Sequence, residues 1–249
     1  IKKLEESTAQ LNTPQDFLRQ TEGLKARLQA GESLSDIRVE AYALASRACE
    51  VALGMKPYDS QMLGALATGQ GEIAEMMTGE GKTLTAVMPL YLHALAGKGA
   101  HLVTVNDTLA QRDAREMSPA FQLLGLTVGT VLDGMTPEEK RAGYAADVTY
   151  TTDRTVGFDY LRDKTVKNIA ERVQRPPFFA LIDEVDEVLL DEARTPLIIS
   201  GKGAPPSENY LTFKEIVEDL QPGIDYFVDR EQGSAWLSDL GLQYVENEL

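Results

Sequence analysis

The hydrophobic pattern of the first 55 residues is that of two amphipathic helices. Thr13 followed by Pro14 is a typical helix start, because a hydroxyl caps the free N–H groups and proline fits the first helical position. This helix is predicted to end at Gly31, and a second to run from about Ser35 to Gly54 with apolar residues on one face. We therefore expect residues 1–55 to form a helical segment that packs on the domain following it.

From residue 72 to residue 200, short apolar runs alternate with helical patterns. Strands are predicted at Ile73–Met76, His101–Val105, Thr127–Leu132, Val148–Thr151 and Phe178–Ile182. Helices are predicted at Lys82–Ala96, from a cap at Asp107 to about Leu124, and from a capping box at Thr136. The last strand is apolar throughout, as expected of a strand buried on both faces. This order predicts an α/β fold, a parallel sheet between two layers of helices, over residues 56–201.

The pattern changes again after Gly201, where a turn-rich segment reaches Ser207. A helix over about residues 208–220, a hairpin near Tyr226–Trp236 and a terminal helix are predicted beyond it. Since some 40 residues bury too little surface for an independent core, residues 202–249 are interpreted as the start of a second, small domain. Trp236 is expected to anchor this piece.

Composition excludes several functional classes. The 249 residues are 43% hydrophobic and carry a net charge of −15, which opposes tight binding to nucleic-acid phosphates. No apolar run approaches the ~18 residues of a membrane span. A single cysteine, Cys49, cannot form an internal disulfide and indicates a reducing compartment. The chain begins with Ile1 and not with methionine, which suggests a fragment.

The most specific local pattern is the run TGEGKT over residues 78–83, between a predicted strand and a predicted helix. Glycines let backbone N–H groups surround a phosphate, and the helix start adds partial positive charge. Lys82 can reach the terminal phosphates and the Thr83 hydroxyl can bind Mg²⁺. The match is incomplete because Met76 stands where the first glycine belongs, so an ordinary strand-to-helix turn is the alternative.

Two carboxylates follow the apolar run about 100 residues later, in Ile182-Asp183-Glu184. The carboxyl ends of parallel strands are where open α/β sheets bind ligands. Asp183 would then hold Mg²⁺, and Glu184 would orient and deprotonate the attacking water. The alternative is that both only begin a helix, where carboxylates favour the dipole.

A third pattern, the run MKPYDSQ over residues 55–61, precedes the phosphate loop. The amide of Gln61 can donate to and accept from an adenine edge at once. Taken alone, this pattern is weak evidence for an adenine-binding role, because most glutamines are surface residues.

Together these runs resemble the SecA family. Its motifs occur here in family order: Gln61, the TGEGKT loop, TVNDTLAQRD (104–113), GFDYLRD (157–163) and IDEVDEVLLDEARTPLIISG (182–201). The resemblance implies a RecA-like, phosphate-loop ATPase domain related to DEAD-box helicases, within the motor that drives unfolded preproteins through a SecY-type channel complex. Residues 202–249 resemble the start of the preprotein-crosslinking domain.

The resemblance also assigns roles to individual residues. It implies ATP contacts for Gln61, Thr78, Gly79, Glu80, Gly81, Lys82 and Thr83, a magnesium site at Thr83 and Asp183, and catalysis by Lys82 and Glu184. Acidic membrane lipids and a second copy of the chain are further implied partners, and nucleic acid is not. The implied location is cytoplasmic and peripheral on the inner face of the bacterial plasma membrane.

Several positions depart from the family pattern: Met77, Thr108, Glu187 and the run TTDRT over residues 151–155. These changes favour an accessory member of the family over the general one. Because the family's arginine fingers would lie beyond residue 249, the chain alone is expected to be a weak ATPase, since losing such a finger costs ~10³–10⁵ in rate. The alternative functions are a DEAD-box-type nucleic-acid helicase and a non-catalytic interaction module.

Overall fold

The computed structural model describes residues 8–199, 208–229 and 233–248. Its helices are α1 Pro14–Gln29, α2 Leu34–Leu53, α3 Asp59–Thr68, α4 Lys82–Thr85, α5 Val87–Ala94, α6 Asp107–Leu123, α7 Pro137–Ala145, α8 Asp153–Thr165, α9 Glu208–Asp219 and α10 Asp239–Glu248. Its strands are β1 Ala100–Thr104, β2 Val128–Val131, β3 Val148–Thr152, β4 Phe179–Ile182, β5 Tyr226–Asp229 and β6 Ser234–Leu237. A 3₁₀ turn, Ile169–Glu171, and a π-helical turn, Glu187–Asp191, lie on either side of β4.

Short polar residues set the helix starts, as the sequence predicts. Thr13 caps α1 and Thr136 caps α7, each through a reciprocal capping box with the residue three positions on. The predicted cap of α6 at Asp107 is wrong: the Oδ1 of Asn106 accepts from the N–H of Leu109 at 2.9 Å. Asp107 instead accepts from the backbone N–H of Asp133, at 3.1 Å.

The first four strands form one parallel sheet in the order β2-β3-β1-β4. Leu102 of β1 lies level with Tyr150 of β3 and with Leu181 of β4. Helices α5 and α6 pack on the face that carries these residues, with α2 behind them, while α7 and α8 pack on the other side. The predicted three-layer α/β fold is therefore confirmed.

Two strand predictions need correction at the side of the sheet where β4 lies. Residues 73–76 form no strand, since this segment has no backbone ladder with another strand among the described residues. β4 is only partly buried, and Ala180 is exposed, because β1 is its single strand neighbour in the described part of the sheet. An apolar run alone could not reveal that one edge of β4 is open.

The helix predicted over Lys82–Ala96 is divided into α4 and α5 at Ala86. Pro89 explains the break, since proline has no N–H for the carbonyl of Thr85 four residues earlier and its ring crowds that oxygen. The short first piece keeps Lys82 at a helix start of its own.

The core of the larger unit lies between the sheet and helices α1, α2, α5 and α6. Tyr42 and Tyr91 are fully buried, and each hydroxyl has a partner: the carbonyl of Ala65 at 2.9 Å and the hydroxyl of Thr21 at 2.8 Å. Cys49 is buried here, and burial raises the pKa of its thiol to about 12. In the described ranges, no helix is long and apolar enough to cross a bilayer.

A buried ion cluster joins α7 to α8 behind the sheet. Asp159 accepts from Lys140 at 2.8 Å, from the hydroxyl of Tyr144 at 3.0 Å and from Arg162 at 3.1 Å. Lys140 and Asp159 are both buried. Since an unpaired buried charge is costly, this cluster fixes the two helices against each other.

The chain divides into two compact units, with the boundary between Ile198 and Ile199. In the smaller unit, the predicted helix, hairpin and terminal helix are found as α9, the antiparallel pair β5–β6 and α10. Trp236 lies on β6 beside Phe227 and is 54% exposed, so it is less buried than an anchor would be. The predicted turn-rich segment at 201–207 lies outside the described residues.

Candidate nucleotide-binding site

Residues 78–81 form a tight turn that leads directly into α4. Gly79 and Gly81 both have positive φ angles, 88° and 79°, which only glycine adopts without strain. Gly81 occupies the capping position of α4, so the side chain of Lys82 leaves from the first residue of the helix. Two glycines with positive φ and a helix start directly after them are features of a phosphate loop, although Met76 stands where its first glycine belongs.

The turn meets the carboxyl end of β4 through one ion pair. The Nζ of Lys82 lies 2.7 Å from the Oε1 of Glu184, and the two side chains are 32% and 42% exposed. Hydrogen bonding to Glu184 raises the pKa of Lys82. Residues 102 positions apart, each predicted to be catalytic, are thus brought into direct contact.

Glu184 has an unusual backbone, with a φ angle of +51°. It is the only residue other than glycine with positive φ in the described part of the chain. Such a conformation costs of order 1–3 kcal/mol and is concentrated at functional sites. This conformation falls directly after Asp183, where β4 has ended and the chain leaves the sheet.

Asp183 continues the sheet beyond β4, because its N–H donates to the carbonyl of Val103 at 2.8 Å. Burial, and after it the charge of Glu184, raises the pKa of the Asp183 carboxyl. Asp183 lines a cavity of about 60 Å³ together with Lys82 and Thr83. The structure therefore brings together all four residues predicted to bind magnesium or to catalyse.

This donor set fits a magnesium ion that arrives with its nucleotide. Magnesium in such sites is held by one or two carboxylates and by substrate phosphates, with several waters retained. Asp183 supplies a carboxylate and Thr83 a hydroxyl at the same cavity. No group of three or more His, Cys, Asp or Glu side chains in the described ranges could hold a metal by itself.

Gln61 contacts the phosphate loop directly. Its Nε2 donates to the carbonyl of Glu80 at 2.8 Å, and its Oε1 accepts from the N–H of Tyr58 at 2.8 Å. The amide is buried and both of its ends are used within the chain. Reading an adenine edge would require Gln61 to exchange one of these partners, and that role stays a prediction.

The remaining predicted loop residues lie at the surface. Thr78 and Glu80 are exposed, and the Glu80 carboxylate accepts from the N–H of Met77 at 2.8 Å. Tyr58, to which sequence reasoning gave no role, donates its backbone N–H to Gln61, and its side chain is 76% exposed. The sequence signal that could have pointed to Tyr58 was its position three residues before Gln61.

Asp113 of α6 also lines the cavity and was missed by sequence reasoning. A signal existed, since Asp113 lies three residues after Ala110 and one before Ala114 on the buried face of α6. A charged side chain on the buried face of a helix is costly unless it is paired or hydrogen-bonded, so its presence there indicates a partner.

A parallel sheet with two carboxylates after β4, in contact with a glycine turn that opens a helix, defines the class of phosphate-loop α/β nucleotide-binding domains. Within that class the assignment is closer still. The profile of the SecA DEAD-like domain matches residues 1–242, and the chain belongs to that family.

Relatives named protein translocase subunit SecA align with 94–100% of this chain. The chain is 48% identical over 235 residues to the chloroplastic protein translocase subunit SecA of Ostreococcus lucimarinus, covering 94% of this chain and 25% of that protein. It is 45% identical over 249 residues to SecA of Syntrophus aciditrophicus, with 100% and 30% covered, and 47% identical over 249 residues to SecA of Synechocystis, with 100% and 27% covered. The chain thus spans 25–30% of the length of these relatives.

Proposed function

We propose that this chain is the ATP-binding part of a motor ATPase that drives preproteins through the Sec channel across the bacterial plasma membrane. The observation that carries the proposal is the 2.7 Å contact between Lys82 and Glu184, which joins the phosphate loop to the carboxylate pair at the sheet edge. Membership of the SecA DEAD-like domain family and relatives named protein translocase subunit SecA supply the transport context.

Each residue at the site has a distinct task in this proposal. Lys82 and the backbone of residues 78–83 bind the phosphates, and Gln61 reads the base. Thr83 and Asp183 hold Mg²⁺, which when bound offsets the charge of the phosphates. Glu184 orients the attacking water and accepts its proton.

The ion pair sets the order of events at Glu184. While Lys82 holds the Glu184 carboxylate, that oxygen is not free to accept a proton from water. Phosphate oxygens compete for the same Nζ donors, so nucleotide binding releases Glu184. The general base therefore becomes available only when its substrate is present.

The partners follow from the family. We propose a SecY-type channel complex, unfolded preproteins, acidic membrane lipids and a second copy of the motor as partners, with the protein in the cytoplasm and peripheral on the inner membrane face. Met77, Thr108 and Glu187 support an accessory system as the finer assignment. The 249-residue chain alone is expected to turn over ATP slowly.

The test is ATP hydrolysis by the full-length protein, comparing the wild type with Glu184→Gln. Preprotein together with channel-containing membranes should stimulate the wild type and leave the variant unstimulated. Loss of activity in Lys82→Ala, with unfolding unchanged, would support the same site.

Two outcomes would favour the other functions. Stimulation by RNA, with none by preprotein and membranes, would indicate a helicase. Nucleotide binding that is unaffected by Lys82→Ala would indicate an interaction module in which the loop does no chemistry.

A further inference from the structure

Asp113 is a buried charge for which no task has been described. It lies in the second turn of α6 and is 2% exposed. Its only described hydrogen bonds come from the guanidinium of Arg112, with Nε at 2.8 Å and Nη2 at 2.7 Å from Oδ1. Arg112 contacts the same oxygen twice, so Oδ2 is the atom without a described partner.

The surroundings of Asp113 are those of the proposed magnesium site. Asp113 lines the cavity of about 60 Å³ that Lys82, Thr83 and Asp183 also line. Burial raises the pKa of Asp183, the charge of Glu184 raises it further and Lys82 lowers it, while the charge of Asp113 adds the last increase. Two carboxylates that face one cavity repel each other unless a cation lies between them.

Two buried hydroxyl groups on the α6 side of the sheet have no hydrogen-bond partner among the described residues. The Oγ1 of Thr104 and the hydroxyl of Tyr150 have no hydrogen bond within the described residues, and both residues are fully buried. Strand register places them on the face of the sheet that carries Leu102 and Leu181, which line the cavity. Burial raises the pKa of the Tyr150 hydroxyl, and the charge of Asp113 adds to that effect.

Unpartnered buried hydroxyls indicate water. A site needs about 10–15 Å³ to hold one water molecule, so the cavity has room for several. The cavity itself presents the Thr83 hydroxyl and the carboxylates of Asp113 and Asp183 with room for water, which is the setting in which a hydrated divalent cation is held. Magnesium dehydrates reluctantly and keeps several of its waters when bound to protein.

We propose that Asp113 is a further residue of the magnesium site, accepting hydrogen bonds from waters that Mg²⁺ retains while Asp183 holds the ion from the end of β4. Thr104 and Tyr150 hold further water of the same network. The inference rests on the proposed function, because it assumes that a magnesium nucleotide binds at the phosphate loop. Asp113 is a positioning residue here, since it acts through water.

A purely structural role of Asp113 predicts a different result. If Asp113 only anchored Arg112, then removing the Arg112 guanidinium would have the same effect on the site as removing the Asp113 charge. The two explanations are therefore separable by a pair of substitutions on adjacent residues.

The experiment measures ADP binding to the full chain by calorimetry, with Mg²⁺ and with a chelator in its place. Asp113→Asn keeps the shape of the side chain and should reduce the enhancement of ADP affinity by Mg²⁺ by about 10–100-fold, the usual effect of losing a group that orients a metal's ligands. ADP affinity in chelator should stay at the wild-type value. Glu116→Gln is the matched control, because it removes the same charge from an exposed position three residues on.

The outcomes decide between the explanations. An unchanged magnesium effect in Asp113→Asn would overturn the inference, as would an equal loss in Arg112→Gln. If Asp113→Asn does not fold, Thr104→Val carries the test: a reduced magnesium effect supports the inference and an unchanged one overturns it. Failure of the proposed function is distinct, since the wild type would then show no ADP binding, or Asp183→Asn would leave the magnesium effect intact.

Discussion

Replacing Gly81 by alanine tests how the phosphate loop is supported. A Cβ built on Gly81 would lie 2.3 Å from the Nε2 of Gln61, inside any real contact distance. Gly79 is the matched control in the same turn: its φ angle is also positive, and a Cβ there would meet nothing within 4 Å. The two substitutions thus share the backbone penalty and differ in the displacement of Gln61.

The magnitudes follow from these two contributions. Holding alanine in the left-handed region costs about 1–2 kcal/mol, which is the whole expected effect of Gly79→Ala. Gly81→Ala must also move the amide of Gln61 away from Glu80 and Tyr58. Each of the two hydrogen bonds contributes about 0.5–1.5 kcal/mol, so Gly81→Ala should cost about 2–5 kcal/mol in total.

The assay is urea unfolding of the nucleotide-free chain, followed by circular dichroism, for both glycine variants with and without Gln61→Ala. In the Gln61→Ala background, Gly81→Ala should cost no more than Gly79→Ala, because the obstructing amide is gone. Equal costs for the two glycine variants in the wild-type background would refute the reasoning.

Two further predictions concern stability away from the loop. Lys140→Met should lower the free energy of unfolding by about 1.5–3 kcal/mol, the contribution of a hydrogen bond to a charged group, because Asp159 keeps Arg162 and Tyr144 as partners. Urea unfolding measures this loss, and an unchanged stability would contradict the role given to the ion pair. Burial lowers the pKa of both His93 and His101 from 6.5. Below about pH 6.5 the two histidines therefore bind protons more readily in the unfolded chain than in the folded one, so the free energy of unfolding should fall as the pH drops. Replacing both histidines by phenylalanine should make that fall smaller. An unaltered pH profile in the double variant would contradict the assignment.

Much of the fold could be predicted because its signals are local. Thr13 and Thr136 cap helices through contacts within one turn, and β1 to β3 follow from short apolar runs between helical patterns. The helix α8 was not predicted, since its hydrophobic spacing is weak and its buried face is held by the charges of Asp159 and Asp163.

The failures arise where a residue's partner is distant in sequence. Residues 73–76 have strand composition, yet a strand requires a neighbour that no local pattern can specify. The role of Gln61 toward a ligand stays a prediction, but no local pattern indicates that its amide donates to the carbonyl of Glu80, 19 residues away. Lys82 and Glu184 were each assigned to the site through a motif, but their direct contact and the positive φ of Glu184 have no local sequence signal.

The placement of the aromatic residues makes the two units spectroscopically separate. The single tryptophan, Trp236, lies half-exposed in the smaller unit, while Tyr42, Tyr91, Tyr144 and Tyr150 are buried in the larger one. Fluorescence excited selectively through tryptophan therefore reports the hairpin unit alone, and near-ultraviolet dichroism of tyrosine reports chiefly the nucleotide-binding unit. One unlabelled sample can thus show which of the two melts first, and which of them responds when nucleotide is added.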